Sequence, residues 1–544
     1  MDNKTITRTF KLLGQLMELH GENPFRTKAT ASLAFKVDKL PFAAASASPE
    51  ELAEQPGIGK SAAAKIAAIV QTGSLPELDG LLAKTPSGVL DMLNIKGLGP
   101  KKVRTIWLEL GMESIGELLY ACNENRLVEA KGFGLKTQEE VRKAIEFSIS
   151  NQGWLLYARV LPHAENLLEN LQKAFPSAKT AFTGGFRRKM ETIDVVDILT
   201  TADSMEVERL LSAACDLAEK PKASLLFNDA SGVKYRILFS TADRFFLDLL
   251  LTTGSEDHVR QLRDIKGEIP VSDSEEGIYR VLGLDYIEPE LREGMGEIAL
   301  AECHELPQLI GLKDLKSDGV HTLEQMALHC KDALGLAYFG ICDHSKSAVY
   351  ARGLTEERVL EQWAEIDRLN AQLAPFRIFK GIESDILGDG ALDYPDDLLS
   401  GFDFVVASVH SNLKMDEQRA TARLLRAIEN PHTTILGHPT GRLLLSRPGY
   451  PVDFRKVIDA CAANRVAIEI NANPLRLDLD WRWHRYALEK GVLLSINPDA
   501  HRMEGLADMQ YGIHVARKGG LTAEKCLNAF SLAELAAFFG NLKI

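Results

Sequence analysis

The chain runs to 544 residues, of which 45% are hydrophobic and 26% charged, and its formal net charge is −13. That length exceeds a single core and predicts roughly three to five domains. No apolar run approaches the roughly 18 residues of a membrane span, and the acidic balance excludes a protein coated in nucleic acid.

The first stretch, "MDNKTITRTFKLLGQLMELHGENPF", has no apolar h-region and no small-residue cleavage site, which argues against a secretory signal. Seven cysteines without a CxxC pair fit reduced thiols, and a cytoplasmic location, better than a disulfide framework. Residues 1–145 hold 19 basic and 17 acidic side chains, a near-neutral front on an acidic body that permits a local DNA contact.

Residues 1 to about 150 read as helices joined by short Gly-containing turns. One pattern recurs at intervals of roughly 40 residues: "PGIGKSAAAKIAAI", "IKGLGPKKVRTIWLEL" and "AKGFGLKTQEEVRKAI". Glycine–hydrophobe–glycine followed by an amphipathic helix with early Lys or Arg is the helix-hairpin-helix signature. Its backbone N–H groups face outward at a helix N-terminus, where a DNA phosphate docks without regard to base sequence. The expected DNA-binding residues are Gly57, Gly59, Lys60, Gly97, Gly99, Lys101, Lys102, Gly132, Gly134 and Lys136.

From 151 to about 300, helices such as "HAENLLENLQKAF" alternate with short strands such as "KTAFTGG", "VDILT" and "VKYRILFS", and 286–302 reads as a polar connector. From about 306 onward strands and helices alternate regularly, which predicts a parallel sheet or barrel with ligands at the strand C-terminal ends. His344, Glu383, His410, His438, and the pair Asp499 and His501, each follow an apolar run on one of five strands. Any one of these alone suits a cap or a hydrogen-bonded core. Together they form the histidine–carboxylate mixture that binds Zn²⁺, Mn²⁺ or Fe²⁺.

In this order, "NPFRTKA", "PGIGKSAAAKI", "KGFGLKT", "GGFRRKMET", "TTGSEDH", "LGLDYIEPELREG" and "NPDAH" span nearly the whole chain. The series resembles the bacterial and archaeal family X DNA polymerases that carry a C-terminal PHP (polymerase and histidinol phosphatase) domain. The resemblance implies a multidomain α/β protein. It would comprise a lyase-like helical domain (1–90), fingers (91–150), a nucleotidyltransferase-like palm (151–240), thumb and connector (241–302) and a PHP-type (β/α) barrel (303–544). Family members fill short gaps in DNA repair, and many use the PHP site as a 3′-5′ exonuclease or phosphoesterase.

Measured against that family, the palm is degraded. Gly184, Arg187, Arg188, Glu191 and Thr192 agree with its pattern, and Arg188 is expected as a phosphate contact. Gly185 stands where the phosphate-binding Ser belongs, and Asp194 where a Gly lies beside the triphosphate. Val195 replaces the first metal-binding Asp, Asp197 keeps the second, and Arg236 occupies the place of the third. Leu251 and Thr252 replace the aromatic pair that shapes the sugar pocket. Two Mg²⁺ ions would face one carboxylate and a guanidinium, so Mg²⁺ at the palm is doubtful. Asp197 and Arg236 are expected to pair with each other, and no templated polymerisation is expected.

The PHP motif departs as well. "IGLKDLKSDGVHTLEQM" lacks the family's opening H-x-H, and His321 follows the Asp and is no substitute by register. Seven of nine family ligands remain: Asp318, His344, Glu383, His410, His438, Asp499 and His501. The resemblance assigns Glu383, His410 and His438 to one ion and Asp318, His344 and His501 to another. Two divalent ions rather than three are therefore expected.

Lys65 aligns with the family lysine that forms a Schiff base with a 5′-deoxyribose phosphate, and is a candidate lyase nucleophile alongside the reading as a plain phosphate contact. Arg442, after "GHPTG", reads equally as a phosphate contact or a surface arginine. The favoured function is a metal-dependent phosphoesterase or 3′-5′ exonuclease docked on gapped, nicked or 3′-ended DNA, with a spent polymerase core and no membrane partner. Two alternatives stand beside it: a non-catalytic DNA-binding repair scaffold, and a working gap-filling polymerase.

Overall fold

The computed structural model describes residues 1–123, 126–130, 132–212, 217–219, 224–310, 323–348, 353–500 and 503–541. The chain forms two units, Met1–Gln152 and Gly153–Ile544.

The first unit is helical. Its opening helix, Asn3–Leu19, shows why: Ile6, Phe10, Leu13, Leu16 and Met17 recur at helical spacing and are all buried. Asp2 caps that helix by accepting from the Thr5 N–H at 2.8 Å. In each of the three repeats the hydrophobe between the glycines (Ile58, Leu98, Phe133) points into the same core. The preceding Gly57, Gly97 and Gly132 hold φ of +79°, +91° and +92°, a left-handed turn that a side chain would strain. The following Gly59, Gly99 and Gly134 are extended and precede the helical segments that begin at Lys60, Pro100 and Leu135.

The second unit opens on a five-stranded sheet of β1 (Thr180–Thr183), β2 (Val196–Thr200), β3 (Leu217–Glu219), β4 (Ser224–Asn228) and β5 (Lys234–Phe239). Its order is β1-β2-β5-β4-β3, with β2 and β5 parallel and the other pairs antiparallel. Helices Phe245–Thr253, Glu256–Lys266 and Glu275–Val281 follow, packed around the buried Tyr279.

Six further strands, β6 (Tyr338–His344), β7 (Arg377–Asp385), β8 (Phe404–Ser408), β9 (Ile435–Leu436), β10 (Ala467–Asn471) and β11 (Leu494–Asn497), lie in strictly sequential order. All five neighbouring pairs are parallel. β8 and β10 are buried along their whole length, which explains why parallel strands covered on both faces read as continuous apolar runs. This is the α/β architecture with a C-terminal parallel barrel that the resemblance implies. Asp318, His501 and the H-x-H region lie outside the described residues. Among the described residues no helix is long and apolar enough to cross a membrane.

Candidate metal centre

His344 ends β6 and pairs in register with Glu383 of β7, so two of the expected ligands meet at the same end of the sheet. Glu383 is the hub. His344 Nδ1 lies 2.9 Å from its Oε2, and His410 Nε2 and His438 Nε2 lie 3.3 and 3.1 Å from its Oε1. The His410 ring stands edge-on to both neighbours, with centroids 4.8 Å from His344 and 5.1 Å from His438. Ligand atoms of His344, Glu383 and His410 all fall within 4.8 Å of one another. The resemblance gave His344 to a different ion from His410 and His438; here the three share one carboxylate.

Charge follows this geometry. Burial works against ionisation of Glu383, but hydrogen bonds from the three histidines hold it well below the usual carboxylate range. Burial likewise opposes the charged form of His410, and hydrogen bonds to Asp385 and Glu383 overcome it, raising the imidazole to about 10. Asp385 is a residue the sequence reading missed. Its Oδ1 accepts from His410 Nδ1, its Oδ2 accepts from Ser347 Oγ at 2.6 Å, and its backbone N–H donates to Ser345 Oγ at 2.9 Å. A carboxylate fixing Nδ1–H leaves Nε2 as the ligating atom. Glu469, also missed, is buried and pushed up to about 7 by that burial; it accepts from the His438 N–H at 2.6 Å and from Asn497 Nδ2 at 3.0 Å.

Three imidazoles and a carboxylate suit a first-row divalent cation. His438 Nδ1 is buried without a hydrogen-bond partner among the described residues, and His438 and Asp499 hold φ of +21° and +51°, strained backbone of the kind found at functional sites. The residues present therefore fit a metal. Asp499 Oδ2 accepts from Asn471 Nδ2 at 3.2 Å and lies 3.3 Å from Arg476 Nε. A cavity of about 950 Å³ reaches His344, Glu383, Glu469, Asn471 and Asp499.

The five-stranded sheet places Asp197 and Arg236 as direct partners in the parallel β2–β5 ladder. Arg236 donates Nε and Nη2 to the two Asp197 oxygens at 2.6 and 3.0 Å. Burial lifts the Asp197 carboxyl above its ordinary value in spite of that guanidinium. Gly184 has φ +63°, and a Cβ there would lie 2.4 Å from Asp197 Oδ2, so the Gly-Gly turn is closed down on the pair. Arg188, expected at a phosphate, instead donates Nε to Glu293 at 2.8 Å and Nη1 to the Thr253 carbonyl at 2.6 Å. Its neighbour Arg187 forks onto Glu275 at 3.0 and 2.5 Å. Arg442 is not a surface arginine. Only 14% exposed, it donates Nη1 to Asp480 at 2.6 Å and Nε to the Arg476 carbonyl at 2.9 Å.

In the helical unit Lys60, Lys101 and Lys136 are exposed. Gly59, Gly99 and Gly134 provide no side-chain cap, so the N–H groups of the turns that follow donate to no side-chain oxygen of the cap residue. Lys102 Nζ instead reaches back to the Gly97 carbonyl at 3.1 Å. The Lys65 ammonium lies 2.8 Å from Glu77 Oε2, and Arg26 holds the other oxygen at 2.5 Å.

Residues 1–75 match the model of a helix-hairpin-helix domain, and residues 89–146 that of a SAM-like helix-hairpin-helix tandem. Across 99% of both chains the sequence is 34% identical to the DNA polymerase/3′-5′ exonuclease PolX of Bacillus subtilis (strain 168). A stretch of 161 residues is 30% identical to a protein named probable phosphatase in Thermoanaerobacter sp. (strain X514), covering 28% of this chain and 63% of that one. A similarly named protein of Syntrophotalea carbinolica is 30% identical over 172 residues, 29% of this chain and 66% of its own.

Proposed function

This chain belongs to the PolX family of DNA polymerase/3′-5′ exonucleases, and from that premise we propose that it is a DNA-docked, metal-dependent phosphoesterase whose polymerase core serves as scaffold. The observation that carries the reading is the convergence of His344, His410 and His438 on Glu383 in the barrel, set against the Asp197–Arg236 pair in the palm.

Glu383, His410 and His438 would hold one divalent cation, with His344 and Asp499 available to a second. When bound, such an ion supplies Lewis acidity toward a phosphoryl oxygen and makes a water acidic enough to attack at neutral pH. The chain's own part is positional. Asp385 and Ser347 fix the proton of His410 on Nδ1, and Glu469 anchors the His438 backbone. The uncapped helix starts after Gly59, Gly99 and Gly134 present N–H groups to DNA phosphates, with Lys60, Lys101 and Lys136 nearby, so docking is independent of base sequence and weakens with salt. Lys65 serves here as a phosphate contact, its ammonium already set against Glu77.

In the palm, a guanidinium bound through two nitrogens occupies the carboxylate that a catalytic Mg²⁺ needs. Primer extension is therefore lost. The test uses a single-stranded oligonucleotide labelled at its 5′ end and incubated with the Mn²⁺-loaded full chain. Shortening from the 3′ end that is abolished by His410→Ala and by chelation is expected; equal shortening by His410→Ala places the activity elsewhere, and none at all from metal-loaded wild type leaves the scaffold reading.

A further inference from the structure

Arg476 is a charged side chain that the proposed function has not used. Its Nε lies 3.3 Å from Asp499 Oδ2, at the C-terminal rim of the barrel beside the metal centre. Neither terminal nitrogen makes a hydrogen bond among the described residues, although the side chain is only 19% exposed. A half-buried guanidinium with one edge on a carboxylate and its fork unspent is shaped to receive a phosphate through two N–H donors.

Two further observations point the same way. Arg476 is near enough to Arg447 that its charge, second to burial, helps push the Arg447 guanidinium down. Arg447 in turn donates Nε and Nη2 to one backbone oxygen, of Gly441, at 3.0 and 2.6 Å, which holds this second cation in place. Two like charges held together at a part-buried site are unfavourable until an anion joins them. The loop bearing Arg476 is also deliberately held. Arg442 donates to the carbonyls of Arg476 and Leu477, and its guanidinium lies 3.8 Å from Glu191 of the "GGFRRKMET" stretch.

We infer that Arg476, backed by Arg447, forms a phosphate-binding subsite that seats the phosphodiester of a DNA 3′ end against the barrel's metal centre. Arg476 touches the substrate phosphate; Arg442, through its hold on the loop, is a positioning residue. The subsite rests on the phosphoesterase reading, because it gives the phosphate its place beside the ions.

The experiment separates the two ideas by reading binding and turnover independently. The Mn²⁺-loaded full chain is titrated with inorganic phosphate by calorimetry, for wild type, Arg476→Ala and Arg476→Lys, with bound manganese measured in each. About a ten-fold or greater loss of phosphate affinity in Arg476→Ala, smaller in Arg476→Lys, with manganese content unchanged, is expected. Phosphate affinity equal to wild type, no phosphate binding by the wild type, or loss of manganese along with affinity overturns the subsite. In parallel, oligonucleotide shortening by Arg476→Ala should show KM raised about ten-fold with kcat changed less. A wild type that binds phosphate but never cleaves would sink the phosphoesterase reading while leaving the subsite standing.

Discussion

Asp385 shows how much one side chain two positions from a ligand can decide. Successive strand residues alternate faces, so Asp385 shares the face of Glu383 and reaches His410. The signal is present in "GIESD", but the apolar stretch points only to the residue at its end as a ligand. Asp385→Asn keeps the shape and removes the anion that fixes Nδ1–H. Manganese affinity of the full chain, measured by chelator competition, is expected to fall about 10- to 100-fold; an unchanged affinity means that His410 is oriented by something else. At the palm the Asp197–Arg236 pair is asymmetric, with side chains 9% and 44% exposed. Arg236→Ala strands a buried carboxylate, whereas Asp197→Ala leaves a guanidinium that water can reach. Chemical denaturation is expected to show a loss of about 3 kcal/mol for the first and about 1 kcal/mol for the second. Equal losses contradict that asymmetry.

Among the elements, the helix-hairpin-helix turns were the most legible. Their signal is local: a left-handed glycine, a buried hydrophobe, then a glycine at the helix start, three times over. The same locality gives a test in which stability and binding move in opposite directions. Gly59 has φ −83° and ψ 171°, and a Cβ there meets nothing within 4 Å. Gly59→Asp should therefore cap the helix Lys60–Thr72 and stabilise it by about 0.3 kcal/mol. The new carboxylate stands at the turn proposed to dock a phosphate, so affinity for gapped duplex at low salt should fall several-fold. Stability and DNA affinity rising together would remove this turn from the interface. What no local pattern could reveal is how the arginines of "GGFRRKMET" are spent. Arg187 and Glu275 are 88 residues apart, and Arg188 and Glu293 are 105 apart. The motif pointed Arg188 to a phosphate; tertiary packing pairs both arginines with distant carboxylates. The partners of Arg442 were hidden for the same reason, since Asp480 and the Arg476 carbonyl come from another loop.

Across the whole molecule, the order of motifs disclosed the family and the fold class, because glycine turns and strand-end ligands are written in short stretches. The electrostatics of the interior were not legible, because they depend on which strands become neighbours. Buried histidines outside the metal centre give that interior a pH signature. Burial lowers His484 and His514 to about 4 and also lowers His258. Their folded values lie below that of the unfolded chain, about 6.5, so the stability they permit is complete above that pH and is lost as pH falls toward 4. At pH 5, His484 and His514 should each cost about 2 kcal/mol relative to neutral pH. Urea midpoints of the metal-loaded chain at pH 7.5 and pH 5 check this, and His514→Asn should flatten the difference; a midpoint that rises on acidification contradicts it.

The proposed function divides labour between a barrel that would gather metal and a palm that would not. A 5′-labelled primer in a gapped duplex, incubated with the full chain, Mn²⁺ and all four deoxynucleoside triphosphates, tests both halves in one lane. The account predicts a primer that shortens with wild type and stays unchanged with His410→Ala. A primer that lengthens, above all one that still lengthens with His410→Ala, would contradict it.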